Sequence, residues 1–69
     1  MAERLANRLK AARTERGLTQ ADLAERVGVS RKTINTVENG VFVPSTLLAL
    51  KLAHAFACPV EALFFVEET

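Results

Sequence analysis

The sequence predicts an all-α domain of five short helices. No stretch of the 69 residues sustains the apolar–polar alternation of a half-buried strand, whereas apolar residues recur at helical spacing. Serine or threonine precedes several of these segments and glycine follows them, which is the usual punctuation of helix starts and stops. Apolar residues make up 49% of the chain, a fraction that argues against disorder and favours one compact core. We therefore expect a single domain that spans residues 1–69.

Each predicted helix has its own local signals. The first four cover about residues 3–16, 20–27, 31–39 and 46–56, and the last contains Val60, Leu63 and Phe64. The expected N-caps of the middle three helices are Thr19, Ser30 and Ser45. The expected glycine stops of the first three are Gly17, Gly28 and Gly40. Asp22 follows Thr19 by three residues, so the pair resembles a capping box.

Two of these helices are predicted to supply much of the core. The first would place Leu5, Leu9 and Ala12 on one face. The fourth is apolar around much of its circumference, so we expect it to be central.

The charges are unevenly distributed along the chain. Residues 1–32 contain eight Lys and Arg against four acids, a balance of +4, whereas residues 33–69 contain one against four, a balance of −3. This asymmetry indicates a basic face for an anionic partner. Composition alone leaves open the alternative of an ordinary solvated helix surface.

Several classes of function find no support in the sequence. Cys58 is the only cysteine and His54 the only histidine, so no metal-ligand cluster or catalytic set is evident, and we expect no enzyme activity, cofactor or metal. Cys58 is predicted to be a small core residue and His54 a surface residue. No apolar run reaches the roughly 18 residues of a membrane helix, and no signal peptide is evident. No small-molecule site is evident either, and we expect a cytoplasmic protein.

The segment from residue 20 to 39 carries the functional signal. Two helical patterns meet at Gly28, in the layout of a helix-turn-helix, and Arg31 and Lys32 occupy the first turn of the second. Cations there oppose the helix dipole, and an anionic partner would reverse the sign of that interaction. If Ile34 and Val37 are buried, four polar residues face solvent: Arg31, Lys32, Asn35 and Thr36. Such side chains suit base edges in the major groove, although they could also be solubilising residues only.

The chain resembles the Cro/repressor-type, or xenobiotic-response-element (XRE-like), helix-turn-helix family, in particular its short stand-alone bacterial and phage members. The resemblance runs from Leu5 to about Phe65 and rests on an ordered set of stretches. They are RTERGLTQ (13–20), LAERVGVS (23–30), TINTVENG (33–40), PS (44–45) and VEALF (60–64). It implies a compact, lambda-repressor-like DNA-binding domain whose recognition helix, about 31–39, lies in the major groove.

The resemblance also implies roles for individual residues. The base readers would be Ser30, Arg31, Lys32, Asn35 and Thr36. The phosphate contacts would be Thr19, Gln20, Thr33 and Asn39. Arg13 and Glu38 would form an ion pair that is more plausibly structural than DNA-contacting. The implied function is a sequence-specific transcriptional regulator, most often a repressor, which binds a pseudo-palindromic operator as a dimer.

The linker after the recognition helix departs from the family pattern, as does the turn at Ala57, Cys58 and Pro59, where relatives often have Gly and then Val-Ser. Many relatives carry Lys or Arg after the glycine that ends the recognition helix, where this chain has Val41. The apolar C-terminus suggests a homodimer contact through Phe65 and Val66, together with Phe42, or else a tail folded back on the core.

A different class of function remains open, an antitoxin-like protein-interaction module whose partner is a protein and whose DNA binding is autoregulatory.

Overall fold

The computed structural model describes residues 2–68. Met1 and Thr69, which the predicted domain 1–69 includes, lie outside the described residues. Five helices and two strands follow in the order β1 (Glu3–Asn7), α1 (Leu9–Glu15), α2 (Gln20–Val27), α3 (Arg31–Glu38), α4 (Thr46–Ala55), α5 (Val60–Leu63) and β2 (Phe64–Glu68). The bounds of α2 are those predicted, and α3 and α4 each end one residue earlier than expected, so five helices are confirmed.

The prediction of an all-α fold was wrong at both ends of the described chain. β1 pairs with β2 in a two-stranded antiparallel sheet, with Leu5 opposite Val66 and Asn7 opposite Phe64. Residues 3–7 were expected to begin the first helix, and Phe64 to belong to the last. β-branched and aromatic residues favour extended backbone when a partner strand is present, and here that partner lies some 60 residues away. Local periodicity contains no information about such pairing.

Asn7 marks the switch from strand to helix. Its side-chain oxygen accepts a hydrogen bond from the backbone N–H of Leu9 at 3.1 Å, and its amide nitrogen donates to the Val37 carbonyl at 3.0 Å. The Arg8 N–H donates to the Leu63 carbonyl at 2.9 Å. The start of α1 is thereby fixed to the end of α3 and to α5.

The predicted caps are confirmed. The hydroxyls of Thr19, Ser30 and Ser45 each accept a backbone hydrogen bond from the residue three positions on, and Thr19 and Asp22 form a reciprocal capping box. This box holds the pKa of Asp22 below its usual value, because hydrogen bonds from the Thr19 backbone and side chain favour the carboxylate.

The C-terminal ends of α1, α3 and α4 share one motif, in which two consecutive N–H groups bond back to the last turn. At α1 the Gly17 N–H donates to the Thr14 carbonyl and the Leu18 N–H to the Arg13 carbonyl. The same Schellman pattern places Gly40 after α3 and Ala57 after α4. All three central residues have positive φ, and Ala57, at 52°, is the only non-glycine residue in this conformation within residues 2–68.

The core lies where α2, α3 and α4 meet, beneath α1 and α5. Its fully buried members include Leu9, Leu23, Ile34, Val37 and Leu52. α4 contributes Leu48, Leu52 and Ala53 to this core, yet Leu47 and Leu50 remain more than half exposed, so only part of its apolar circumference is used. Cys58 packs, partly buried, against the core, and His54 is exposed, as predicted.

Candidate nucleic-acid interface

Helices α2 and α3 form the helix-turn-helix. Leu23, Ala24 and Val27 of α2 are buried with Ile34 and Val37 of α3, which fixes the angle between the two helices. Gly28 adopts φ 75°, a conformation that only glycine enters without a steric penalty, so the chain turns sharply between them. The buried face of α3 determines which of its side chains point outward.

The N-terminus of α3 presents two cations. Arg31 and Lys32 are exposed and lie in the first turn, where the backbone N–H groups have no partner within the helix. Ser30 precedes them, but its hydroxyl accepts from the Thr33 N–H at 3.1 Å and lies 2.9 Å from the Thr33 hydroxyl. Ser30 is thus an N-cap first, and any contact with a base would be additional to that role.

Further along α3, Asn35 is exposed and Thr36 is partly buried. The Thr36 hydroxyl donates to the Thr33 carbonyl at 3.0 Å, which leaves its methyl group and its oxygen, as an acceptor, for an outside contact. Asn39, just after α3, donates from its side chain to the Asn35 carbonyl at 3.0 Å. Of the five predicted base readers, Arg31, Lys32 and Asn35 are thus the most available for an outside contact.

Most arginines in the basic half of the chain already have partners. Arg4 forms an ion pair with Glu67 on the neighbouring strand, and Arg8 and Arg16 lie 4.8 Å from the centroids of the Phe65 and Phe56 rings. Within residues 2–68, the cations without a side-chain hydrogen bond, ion pair or ring contact are Lys10, Arg26, Arg31, Lys32 and Lys51. The charge asymmetry in the sequence thus overstates the positive charge that is free to meet a partner. Among these five cations, only Arg31 and Lys32 are adjacent in the sequence.

Arg13 and Glu38 form a buried two-pronged ion pair. The Arg13 Nε donates to Glu38 Oε2 at 2.6 Å and Nη2 donates to Oε1 at 3.3 Å, while Nη1 donates to the Leu18 carbonyl at 2.8 Å. The side chains are 11% and 3% exposed. Hydrogen bonding to Glu38 raises the pKa of Arg13, and burial only partly opposes this. The pair ties α1 to the end of α3.

Gln20 extends this pair into α2. Its side-chain Nε2 donates to Glu38 Oε1 at 3.0 Å, a contact that the sequence did not predict. One N–H of the amide is therefore committed to Glu38, and a phosphate could receive only the second N–H or the backbone N–H of the first helical turn. The Thr19 hydroxyl is engaged in its cap, since its oxygen accepts from the Asp22 N–H and the side chain also hydrogen-bonds the Asp22 carboxylate. Thr33, a further predicted phosphate contact, is partly buried beside the Ser30 cap.

Comparison with known proteins places this arrangement in a family. The helix-turn-helix family profile matches residues 9–63. The chain belongs to this helix-turn-helix family. It is 45% identical over 62 residues to the uncharacterized HTH-type transcriptional regulator YgzD of Bacillus subtilis, an alignment that covers 90% of this chain and 94% of the relative. Identity and coverage are the same for the uncharacterized HTH-type transcriptional regulator MJ0272 of Methanocaldococcus jannaschii.

A solved structure agrees with the sequence relatives. The restriction-modification controller protein C.AhdI of Aeromonas hydrophila superposes with a TM-score of 0.75 at 36% identity, over 80% of this chain and 83% of that one. The resemblance to XRE-like helix-turn-helix proteins is thereby confirmed, and with it the class of DNA-binding transcriptional regulator.

Within this helix-turn-helix chain, the residues suggested for a dimer belong to different elements. Phe42 borders a depression beside α4 with Leu47 and Leu48, whereas Phe65 and Val66 lie on β2. The tail does fold back on the core, since Leu63 and Phe64 are buried, yet Val66 remains 65% exposed. No group of His, Cys, Asp or Glu within residues 2–68 is arranged to hold a metal ion. Across the same range, no helix has the length and apolarity to cross a bilayer.

Proposed function

We propose that this protein is a transcriptional repressor that binds a pseudo-palindromic operator as a homodimer, with α3 in the major groove. Such a dimer would act in the cytoplasm by covering a promoter. Its two half-sites would lie about one helical turn, or 10 bp, apart. Membership of the helix-turn-helix family supports the DNA-binding class, and the surface of α3 supports the proposed mode of contact.

The observation that carries the proposal is the pair of unpartnered cations at the N-terminus of α3. Arg31 and Lys32 are exposed, and no acid lies in the first turn of this helix. Each cation there costs about 0.3–1 kcal/mol in the free protein, because it faces the positive end of the helix dipole. The phosphate backbone and the guanine acceptors of DNA turn that unfavourable interaction into a favourable one.

The roles of individual side chains follow from their geometry. Arg31 and Lys32 would reach guanine O6 and N7, and Asn35 would pair with adenine. Ser30 and Thr36 would add shorter contacts, the latter through its methyl group. We assign the phosphate contacts to residues around the two helix starts and the end of α3, namely Thr19, Gln20, Thr33 and Asn39. Arg13 and Glu38 hold α1, α2 and α3 together and contact no DNA in this proposal.

The second candidate is an antitoxin-like interaction module with autoregulatory DNA binding. The exposed apolar segment Val41, Phe42 and Val43 is the observation that favours it. Such a module would need a protein partner to cover this segment. A toxin-like partner that co-purifies with the full chain would support this candidate.

Selection of bound duplexes from a random DNA pool, at about 150 mM salt to weaken non-specific attraction, tests the proposal. We expect a two-fold symmetric motif. Arg31→Ala should then cost about 1–3 kcal/mol and relax preference at one base position. Arg26→Ala is the matched control, because Arg26 is also exposed and forms no side-chain hydrogen bond or close ion pair but lies on α2. Gln20→Ala should weaken all duplexes about equally.

Two results would contradict this assignment. An unchanged sequence preference in Arg31→Ala would remove the base-reading role. The absence of any enriched motif for the wild-type protein would shift support to the interaction module.

A further inference from the structure

A surface depression with a positive rim lies between α1 and the end of α3. It is lined by Asn7, Arg8, Lys10, Ala11, Thr14 and Glu38. Arg8 is already stacked over the Phe65 ring. Lys10 is exposed and has no hydrogen bond, ion pair or ring contact within the part of the chain that the structure describes. Lys10 is therefore the cation of this rim that is free to meet a partner.

The acid in this depression carries no free negative charge. The side chain of Glu38 is 3% exposed, and both of its oxygens accept from Arg13, at 2.6 and 3.3 Å. With that charge neutralised, Lys10 and Arg8 set the electrostatic potential at the rim. The depression therefore favours an anionic partner, although it lies outside the helix-turn-helix.

The depression adjoins the start of α2, where a phosphate contact is already proposed. Glu38 Oε1 accepts from the Gln20 side chain at 3.0 Å, so one carboxylate lies beside both Gln20 and the depression. Lys10 precedes Arg13 by three residues on α1, about 4.5 Å along the helix axis. Successive phosphates of one DNA strand are about 3.4 Å apart along the duplex axis. A strand that meets Gln20 thus carries further phosphates close to Lys10.

From this placement we infer that Lys10 binds a phosphate of the same DNA strand that meets Gln20, so that the interface extends from the helix-turn-helix onto α1. The inference rests on the proposed function, which places DNA at Gln20. A lysine ammonium is a compact point charge, which binds phosphate without reading a base. Lys10 would therefore strengthen binding to all duplexes alike and help to fix the orientation of the domain on the duplex.

The opposite side of Glu38 is unsuited to the same strand. The depression there, beside the sheet, is bordered by Glu3 and Glu67 as well as Glu38, and its one cation, Arg4, is paired with Glu67. Carboxylates facing a phosphate raise the Coulomb energy. The charges thus direct the strand from Gln20 towards α1.

The salt dependence of DNA binding tests this inference on the full chain. The probe is a mixed-sequence duplex of about three helical turns, and its affinity is measured by fluorescence anisotropy between about 50 and 200 mM salt. Lys10→Gln should reduce the slope of log K against log salt by about 0.9 for each bound copy. Its loss of affinity should accordingly be about 3.5-fold larger at 50 than at 200 mM salt. Lys10→Arg, which keeps the charge, should retain the wild-type slope.

Arg26→Gln is the matched control. Arg26 is likewise exposed and forms no side-chain hydrogen bond or close ion pair, but it lies six residues after Gln20, about 9 Å further along α2. Its loss should leave the slope close to that of the wild type. Circular dichroism checks that each variant is folded.

Two outcomes would overturn the inference. One is a wild-type slope in Lys10→Gln, and the other is an equal reduction in Lys10→Gln and Arg26→Gln, which would mean that Lys10 acts only through the overall charge. The slope is measured on a duplex of any sequence, so its result is separate from the DNA selection. A two-fold motif with a slope that does not depend on Lys10 defeats only this inference, and a Lys10-dependent slope without any motif defeats only the repressor proposal.

Discussion

Replacement of Ala57 by glycine should stabilise the domain by about 1 kcal/mol. An L-residue in the left-handed conformation costs about 1–2 kcal/mol, and glycine removes this cost. The greater freedom of glycine in the unfolded chain offsets part of the resulting stabilisation. Ala57 adopts φ 52° at the centre of the motif that ends α4. Its side chain is exposed, so removal of the methyl group leaves no cavity. The two hydrogen bonds of the motif, from Ala57 to His54 and from Cys58 to Ala53, involve only the backbone and are retained.

The assay is thermal unfolding followed by circular dichroism, at one protein concentration so that self-association does not alter the comparison. For a domain of this size, a gain of about 1 kcal/mol corresponds to a rise in Tm of roughly 4–8 °C. Gly17→Ala is the mirror-image control, since Gly17 has φ 65° in the same motif after α1 and an added Cβ would meet no atom within 4 Å. It should lower the stability by a similar amount.

An Ala57→Gly variant that is no more stable than the wild type would refute the reasoning if Gly17→Ala is destabilised as expected. In that case the conformation at the end of α4 is not a source of strain. A neutral result in both variants would instead show that left-handed alanine costs little in this motif.

Two further predictions concern the polar contacts. Glu38→Gln should destabilise the domain by about 2–3 kcal/mol in urea unfolding, because the buried Arg13 loses its counter-ion while one acceptor oxygen remains; a loss below about 0.5 kcal/mol, the size of an ordinary surface substitution, would argue against a tightly held pair. Asp22→Asn should be less stable than the wild type at neutral pH, and the difference in free energy of unfolding should shrink as the pH falls below about 4. The reason is that folding lowers the pKa of Asp22. The carboxylate therefore stabilises the folded state above the unfolded-state pKa, and this stabilisation is lost as the carboxylate is protonated. Glu25→Gln, on the exposed face of the same helix, controls for the loss of one negative charge, and a difference for Asp22→Asn that does not change with pH would contradict the role of the carboxylate.

The sequence was most informative where the determining contacts are local. Thr19 and Asp22 cap α2 because they are three residues apart in one chain segment, and Ser30 caps α3 for the same reason. The inward face of α3 followed from the spacing of Ile34 and Val37. These short-range signals were sufficient to position the helix-turn-helix and the exposed edge of α3.

What the sequence did not predict depends on contacts between distant segments. β1 is a strand only because residues 64–68 supply a partner, and its own apolar spacing is equally compatible with a helix. The same holds for Gln20, whose amide bonds to Glu38 18 positions away, and for Arg8, whose guanidinium lies over the Phe65 ring. A count of charges in the sequence therefore includes Arg8 as available for an anionic partner, whereas in the structure its guanidinium packs against the Phe65 ring.

The sheet that joins the two ends of the described chain has a consequence for folding during synthesis. β1 is made before the helices but has no partner until residues 64–68 leave the ribosome, whereas α2 and α3 can pack as soon as both are complete. β1, through Asn7, also holds the Val37 carbonyl near the end of α3, so residues 64–68, which emerge after α3, complete the support of that helix. We therefore expect nascent chains that stop before Phe64 to contain a helix-turn-helix whose α3 frays at its C-terminal end, next to an unpaired β1 segment.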